Sequence, residues 1–177
     1  MSDPEVTLVP VAVEDAAALA ALYTAERDFL GPFEPVRDAS FFTVAAHRQI
    51  IERSVALRVA GFGERFLIRA DGELVGVLAV NNIVRGVFQS ASIGYFVAQA
   101  HNGRGVATRA VSQVCEWAFG PAKLHRLEAG TLVDNTGSQR VLERNGFTRI
   151  GVAARYLQIA GRWQDHVLFQ RLADDEA

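Results

Sequence analysis

The chain has 177 residues, half of them apolar and 21% charged, with a formal net charge of −2. That length suits one well-packed domain and is short for two, and so slightly acidic a chain carries no basic field for nucleic acid. The single Cys115 excludes an internal disulfide, four scattered histidines show no zinc spacing, and no apolar run approaches the roughly 20 residues of a spanning helix. The expectations are a soluble protein of the reducing cytoplasm, with no metal and no membrane partner.

Val6 to Val11 alternate as a half-buried strand does, and "EDAAALAALYTAE" then spaces Ala, Leu and Tyr as a helix behind acidic first-turn residues. In "FLGPFEPVRD", Pro32 and Pro35 argue against helix and predict a structured loop. A second helix is expected over about 42–59. "RFLIRADGELVGVLAVNNIV" reads as two strands joined by a hairpin turn at Asp71-Gly72, and "SASIGYFVA" as a third strand beside them. From Val106 to Phe119 one helical face stays apolar. A strand in "LHRLEAGTLV" follows, then a short helix from Asn135 to Asn145-Gly146, and two last strands at about 150–156 and 166–172. The order β α α β β β α β α β β predicts an α/β (α+β) fold, with a mixed, mainly antiparallel sheet and helices on both faces.

Between the third strand and the long helix lies "QAHNGRGVATRAV", where Gly103 and Gly105 flank Arg104. Strand, glycine-rich turn, helix is the arrangement of an anion site, because the first amides of a helix are unpaired and its dipole is positive there. The glycines could equally make a plain turn. A nucleotide-triphosphate loop would need Lys and Ser/Thr after the second glycine, where this chain has "VAT". A dinucleotide loop would need a third glycine where Thr108 stands, and too little chain follows for the remaining βαβ units.

"NGRGVA" resembles the Q/R-x-x-G-x-G/A pyrophosphate loop of the GCN5-related N-acetyltransferases (GNAT), with Asn102 where that family prefers Gln or Arg. "VDNTGSQRVLERNGFTRIG" is similar to the family's N-x-x-S/A segment and its following helix. "FLGPFEPVRD", "NNIVRGVFQSASIGY" and "YLQIAGRWQDH" resemble the RimJ/RimL branch, and within it the RimJ type, which acetylates N-terminal amines of ribosomal proteins. The likeness runs from Val6 to Leu172 and implies one acetyltransferase domain over residues 1–177, its sheet splayed at the cosubstrate site. It implies acetyl-CoA as cosubstrate, held by Asn102, Gly103, Arg104, Gly105, Val106, Ala107 and Thr108 at the loop. Backbone groups of Phe96 and Val97, together with Asn135 and Ser138, would hold the thioester and pantetheine arm. A dimer is common in that branch.

The catalytic groups carry over less directly. Many family members have a tyrosine seven residues after the asparagine, where this chain has Leu142. A serine at the position of Ser138 is the acid proposed for relatives, so Ser138 is the candidate here, with an ordinary first-turn serine as the alternative. Glutamates common in relatives appear as Ser92 and Leu157. Glu34, in the proline-flanked loop, is the candidate to attract the acceptor ammonium, with Phe33 and Tyr156 beside the acceptor. Asp165 is expected to tie down a loop through backbone hydrogen bonds. The acceptor is expected to be a protein N-terminus. A small amine (aminoglycoside, polyamine or amino acid) and a non-catalytic acyl-CoA sensor stand as alternatives.

Overall fold

The apolar patterns above become seven strands and five α-helices in the computed structural model, which describes residues 4–174. The strands are β1 (Val6–Pro10), β2 (Glu64–Ala70), β3 (Glu73–Val84), β4 (Ser90–Val97), β5 (Arg126–Leu132), β6 (Thr148–Ile159) and β7 (Arg162–Leu172). The helices are α1 (Ala16–Ala25), α2 (Arg27–Leu30), α3 (Val44–Ala60), α4 (Val106–Phe119) and α5 (Thr136–Arg144). One sheet of order β1-β2-β3-β4-β5-β7-β6 contains them, antiparallel at every junction except β4 with β5. This is the mixed sheet expected from the element order.

Two apolar layers clasp the sheet. In α4 the buried residues Val106, Ala110, Val111, Val114, Cys115 and Ala118 recur at helical spacing and pack on Leu78, Ile93, Leu127 and Phe169. On the other face, Leu19 and Tyr23 of α1 and Ile51 of α3 cover Leu67 and Val77. Helix ends are set locally: Thr43 Oγ1 accepts from the Ala46 amide at 3.2 Å, and Asn135 Oδ1 from the Ser138 amide at 3.1 Å.

Two segments differ from the sequence expectation. The stretch expected as loop contains α2 and a 3₁₀ turn over Gly31–Phe33. Pro32 lies in the first turn of that element, where no amide is required, so proline starts the turn instead of preventing it. The last two strands run into the expected gap as one long hairpin turning at Ala160-Gly161. A bulge between Ala153 and Leu157 places Arg155 at φ 49°, and the Arg155 amide donates to Asp165 Oδ1 at 2.8 Å. Asp165 thus fastens that bulge by accepting a backbone hydrogen bond, as expected.

Candidate functional site

The site begins where β4 and β5 part. Their parallel pairing covers only Ser90–Ile93 against Arg126–Ala129, yet β4 continues to Val97 and β5 to Leu132. On its other edge β4 stays paired with β3 as far as Gly76 opposite Val97. The Ala98 amide donates to the Val75 carbonyl at 2.7 Å. Antiparallel ladders alternate, so Phe96 forms the next bonded pair with Val77, while Tyr95 and Val97 turn their amides and carbonyls toward the opening. Gly76 corroborates this, since a Cβ there would lie 2.3 Å from the Phe96 carbonyl oxygen. The expectation that Phe96 and Val97 both offer backbone groups is therefore corrected: Phe96 is engaged in the ladder, and Tyr95 takes its place beside Val97.

Below the opening lies a cavity of about 560 Å³ walled by Val97, the glycine loop and the start of α5. Gly103 and Gly105 both adopt the left-handed conformation, with φ of 74° and 77°, and Gly105 caps α4 without a side chain over the helix end. The first amides of α4, including those of Val106, Ala107 and Thr108, have no carbonyl one turn back in the helix. Asn102, Gly103, Gly105, Val106, Ala107 and Thr108 all line the cavity. Arg104 does not: its side chain is exposed outside the wall, and its carbonyl accepts from Arg109.

A second cavity, about 440 Å³, lies across the opening, bordered by Tyr23 of α1, the loop after α2, and strands β5 to β7. Phe33, Tyr95, Phe96, Asn135 and Ser138 line both, so the two spaces meet at the parted strands. At that junction the Tyr95 hydroxyl is 2.9 Å from Ser138 Oγ and 3.3 Å from the Ser138 carbonyl. Burial pushes the Tyr95 phenol up to about 12, opposed in part by its Ser138 hydrogen bond, so it keeps its proton at neutral pH. Leu142, which stands where relatives carry tyrosine, is fully buried at the base of the second cavity.

His166 forms part of that second wall and is 3% exposed. Its Nδ1 is 3.0 Å from the Gln164 carbonyl oxygen, so as a hydrogen bond this contact places a proton on Nδ1, and in the neutral ring the lone pair is on Nε2. Tyr156 packs against the imidazole, ring centroids 5.6 Å apart, and is not among the lining residues. The bulge beside it shifts the strand register, so Leu157 and Ile159 face the cavity in its stead. Glu34 lines the cavity 3.7 Å from Arg37, and its carbonyl accepts from the Ala160 amide at 2.9 Å, joining the α2 loop to the β6–β7 turn.

Residues 5–148 match the family described as acetyltransferase (GNAT) domain. The chain belongs to the GNAT acetyltransferase family. Within the GNAT family its relatives include ribosomal-protein-alanine N-acetyltransferases, and a solved RimJ structure superposes on it, which places it in the RimJ-type branch. It is 39% identical over 171 residues to the probable N-acetyltransferase YjcK of Bacillus subtilis, covering 94% of this chain and 93% of that one. It is 34% identical to the [ribosomal protein uS5]-alanine N-acetyltransferase of Escherichia coli, over 87% of this chain and 80% of the relative. The solved structure of Mycobacterium smegmatis RimJ in complex with CoA-disulfide superposes with a TM-score of 0.92 at 36% identity, covering 97% of this chain and 83% of that one. The splayed sheet is thus the GNAT fold.

In this GNAT chain the burial of Glu34 raises its carboxyl above the usual range, against the opposing pull of Arg37 and Arg65. A raised folded-state value means that ionised Glu34 costs stability once pH exceeds the unfolded value. Glu34→Gln is therefore expected to be more stable than the parent at neutral pH, with the gain vanishing as pH falls into the acid range. Thermal melts across pH 4–8 check this. Tyr95 is not singled out in the sequence as a site residue, and His166, beside Asp165, is a candidate that the strand alternation of "WQDHVLF" argues against. Strand parity was nevertheless the available signal for both, since each alternates with a core residue, Phe96 or Val167.

Proposed function

We infer that this protein transfers an acetyl group from acetyl-CoA to the N-terminal α-amine of a protein or peptide, by direct attack within a ternary complex. The observation that carries the reading is the meeting of two cavities at the parted strands, one ending at the unpaired amides of α4 and the other walled by His166 and Glu34. The residues fit acetyl-CoA: Gly103, Gly105 and the first α4 amides would hold the pyrophosphate, and Asn135 the pantetheine arm. When bound, acetyl-CoA supplies the acetyl group as an activated thioester. The Val97 amide, free of the ladder, is the donor assigned to the thioester carbonyl. Cys115 takes no part, being buried inside α4 with its thiol pushed up by burial.

The proton inventory favours an α-amine. Freeing an amine of its proton at pH 7 costs about 1.1 kcal/mol for a pKa near 7.8 and about 4.6 for a lysine near 10.4. An imidazole lone pair at His166 suits the smaller task, with Glu34 attracting the ammonium. On the leaving side, Ser138 donates to the departing thiolate, takes back a proton from Tyr95, and Tyr95 is reprotonated from solvent through the open cavity once CoA has left. Ser138→Ala and Tyr95→Phe should each lower kcat about a hundredfold or more, with the Michaelis constants little changed. The double variant should be no worse than the poorer single one, because the two hydroxyls act as a unit. Full activity in Ser138→Ala would remove it as the acid.

The reading as a whole is tested by CoA release from acetyl-CoA over peptides with different free N-termini, blocked peptides offering only lysine, and small amines. Turnover of free N-termini supports it. Turnover of small amines alone, or acetyl-CoA binding without turnover, overturns it in favour of a small-amine enzyme or a sensor.

A further inference from the structure

A third and larger space, about 980 Å³, runs between α3 and the far end of β3, away from the coenzyme cavity. It is continuous with the acceptor cavity, since Arg37, Arg65, Ala79 and Asn81 line both. Arg53 and Arg85 line it farther out. Four guanidiniums, Arg37, Arg53, Arg65 and Arg85, face it against two carboxylates: Glu64 is paired with Arg58 at 2.6 Å, and Asp38 keeps its charge while accepting from the Ser40 and Phe41 amides. The groove is therefore cationic in a chain of net charge −2. Leu57 and Phe62, 43% and 59% exposed, add apolar wall. From Ala79 to Arg85 it extends up to roughly 20 Å at strand rise, shortened where the β3 register breaks after Asn81, the reach of about five or six extended residues.

We propose that this groove binds the segment following the reactive N-terminus of the acceptor, and that it selects acidic side chains there. The proposal rests on the N-terminal acetyltransferase reading and names its substrate class. An acceptor whose α-amine enters the parted strands leaves its next residues at the shared mouth, against Arg37 and Arg65, with Arg53 and Arg85 beyond. Carboxylates in these positions meet the guanidinium groups of Arg53 and Arg65, while Arg37, 3.7 Å from Glu34, and Arg85, whose Nη1 donates to the Ala122 carbonyl at 2.6 Å, add positive charge. A small amine would leave the groove unused.

The test uses the full chain and peptides sharing their first two residues but carrying Asp/Glu, Asn/Gln or Lys at positions three to six. CoA release is measured beside a dipeptide amide too short to enter the groove. The expected kcat/KM order is acidic above neutral above basic, with steps of about tenfold that shrink in high salt. Arg53→Glu, a substitution at an exposed helix position, should lower kcat/KM for the acidic peptide, raise it for the lysine peptide and leave the dipeptide amide unchanged. Equal rates for the three peptides overturn the proposal while the acetyltransferase reading stands. So does an equal loss on the dipeptide amide, or a dimer in light scattering that Arg53→Glu dissociates, which would make a second copy the occupant. Absence of turnover on every free N-terminus would instead overturn the reading beneath it.

Discussion

His166→Gln is expected to lower kcat/KM for a peptide acceptor by about 10² to 10⁴ at pH 7, the usual range for losing a general base. The Michaelis constant for acetyl-CoA should hardly move, because His166 lines the acceptor cavity and not the coenzyme one. The deficit should also shrink as pH rises above 8, where solvent removes the α-ammonium proton unaided. A structural role would lower activity equally at every pH and lower thermal stability with it, since the imidazole is 3% exposed and hydrogen-bonded to Gln164. Rates measured between pH 6 and 9.5, beside a melting curve, separate the two. A pH-independent loss would leave Glu34 as the acceptor-side base.

Gly105→Glu should raise the Michaelis constant for acetyl-CoA about a hundredfold, equivalent to about 2.7 kcal/mol. Two effects combine. The backbone at φ 77° is strained for any side chain, and a carboxylate is set at amides that would otherwise face the pyrophosphate. A Cβ there also comes within 2.8 Å of Arg109 Nη1, the far end of a flexible side chain that can give way. Gly103→Ala separates strain from charge. Its φ is 74°, but a Cβ meets nothing within 4 Å, so its effect should be only a few-fold. Initial-rate kinetics with varied acetyl-CoA at saturating acceptor give both values. Unchanged coenzyme kinetics in Gly105→Glu would remove the loop from the coenzyme site.

The elements of the sheet and most of the helices were legible because their signals are local. Alternation marked β1, β-rich runs and the Asp71-Gly72 turn marked β2 to β5, apolar spacing marked α4, and Asn135 announced α5 through a cap that the structure shows accepting from the Ser138 amide. The errors occurred where neighbours in space overrode neighbours in sequence. Pro32 reads as a helix breaker until it is seen in a first turn. Tyr156 was expected at the acceptor, yet the bulge fastened by Asp165 hands that place to Leu157.

By itself the amino-acid order determined the α/β arrangement, the glycine loop at a helix start and the likeness to the GNAT family. Each depends on residues a few positions apart, whose backbone preferences and spacing survive reading in one dimension. Only the tertiary structure decided which groups meet at the parted strands. Tyr95 reaches Ser138 across 43 positions, and His166 joins Glu34 in one wall from opposite ends of the chain. Such meetings depend on strand order, ladder parity and one bulge, which are set by burial of the whole core and leave no mark in any short stretch.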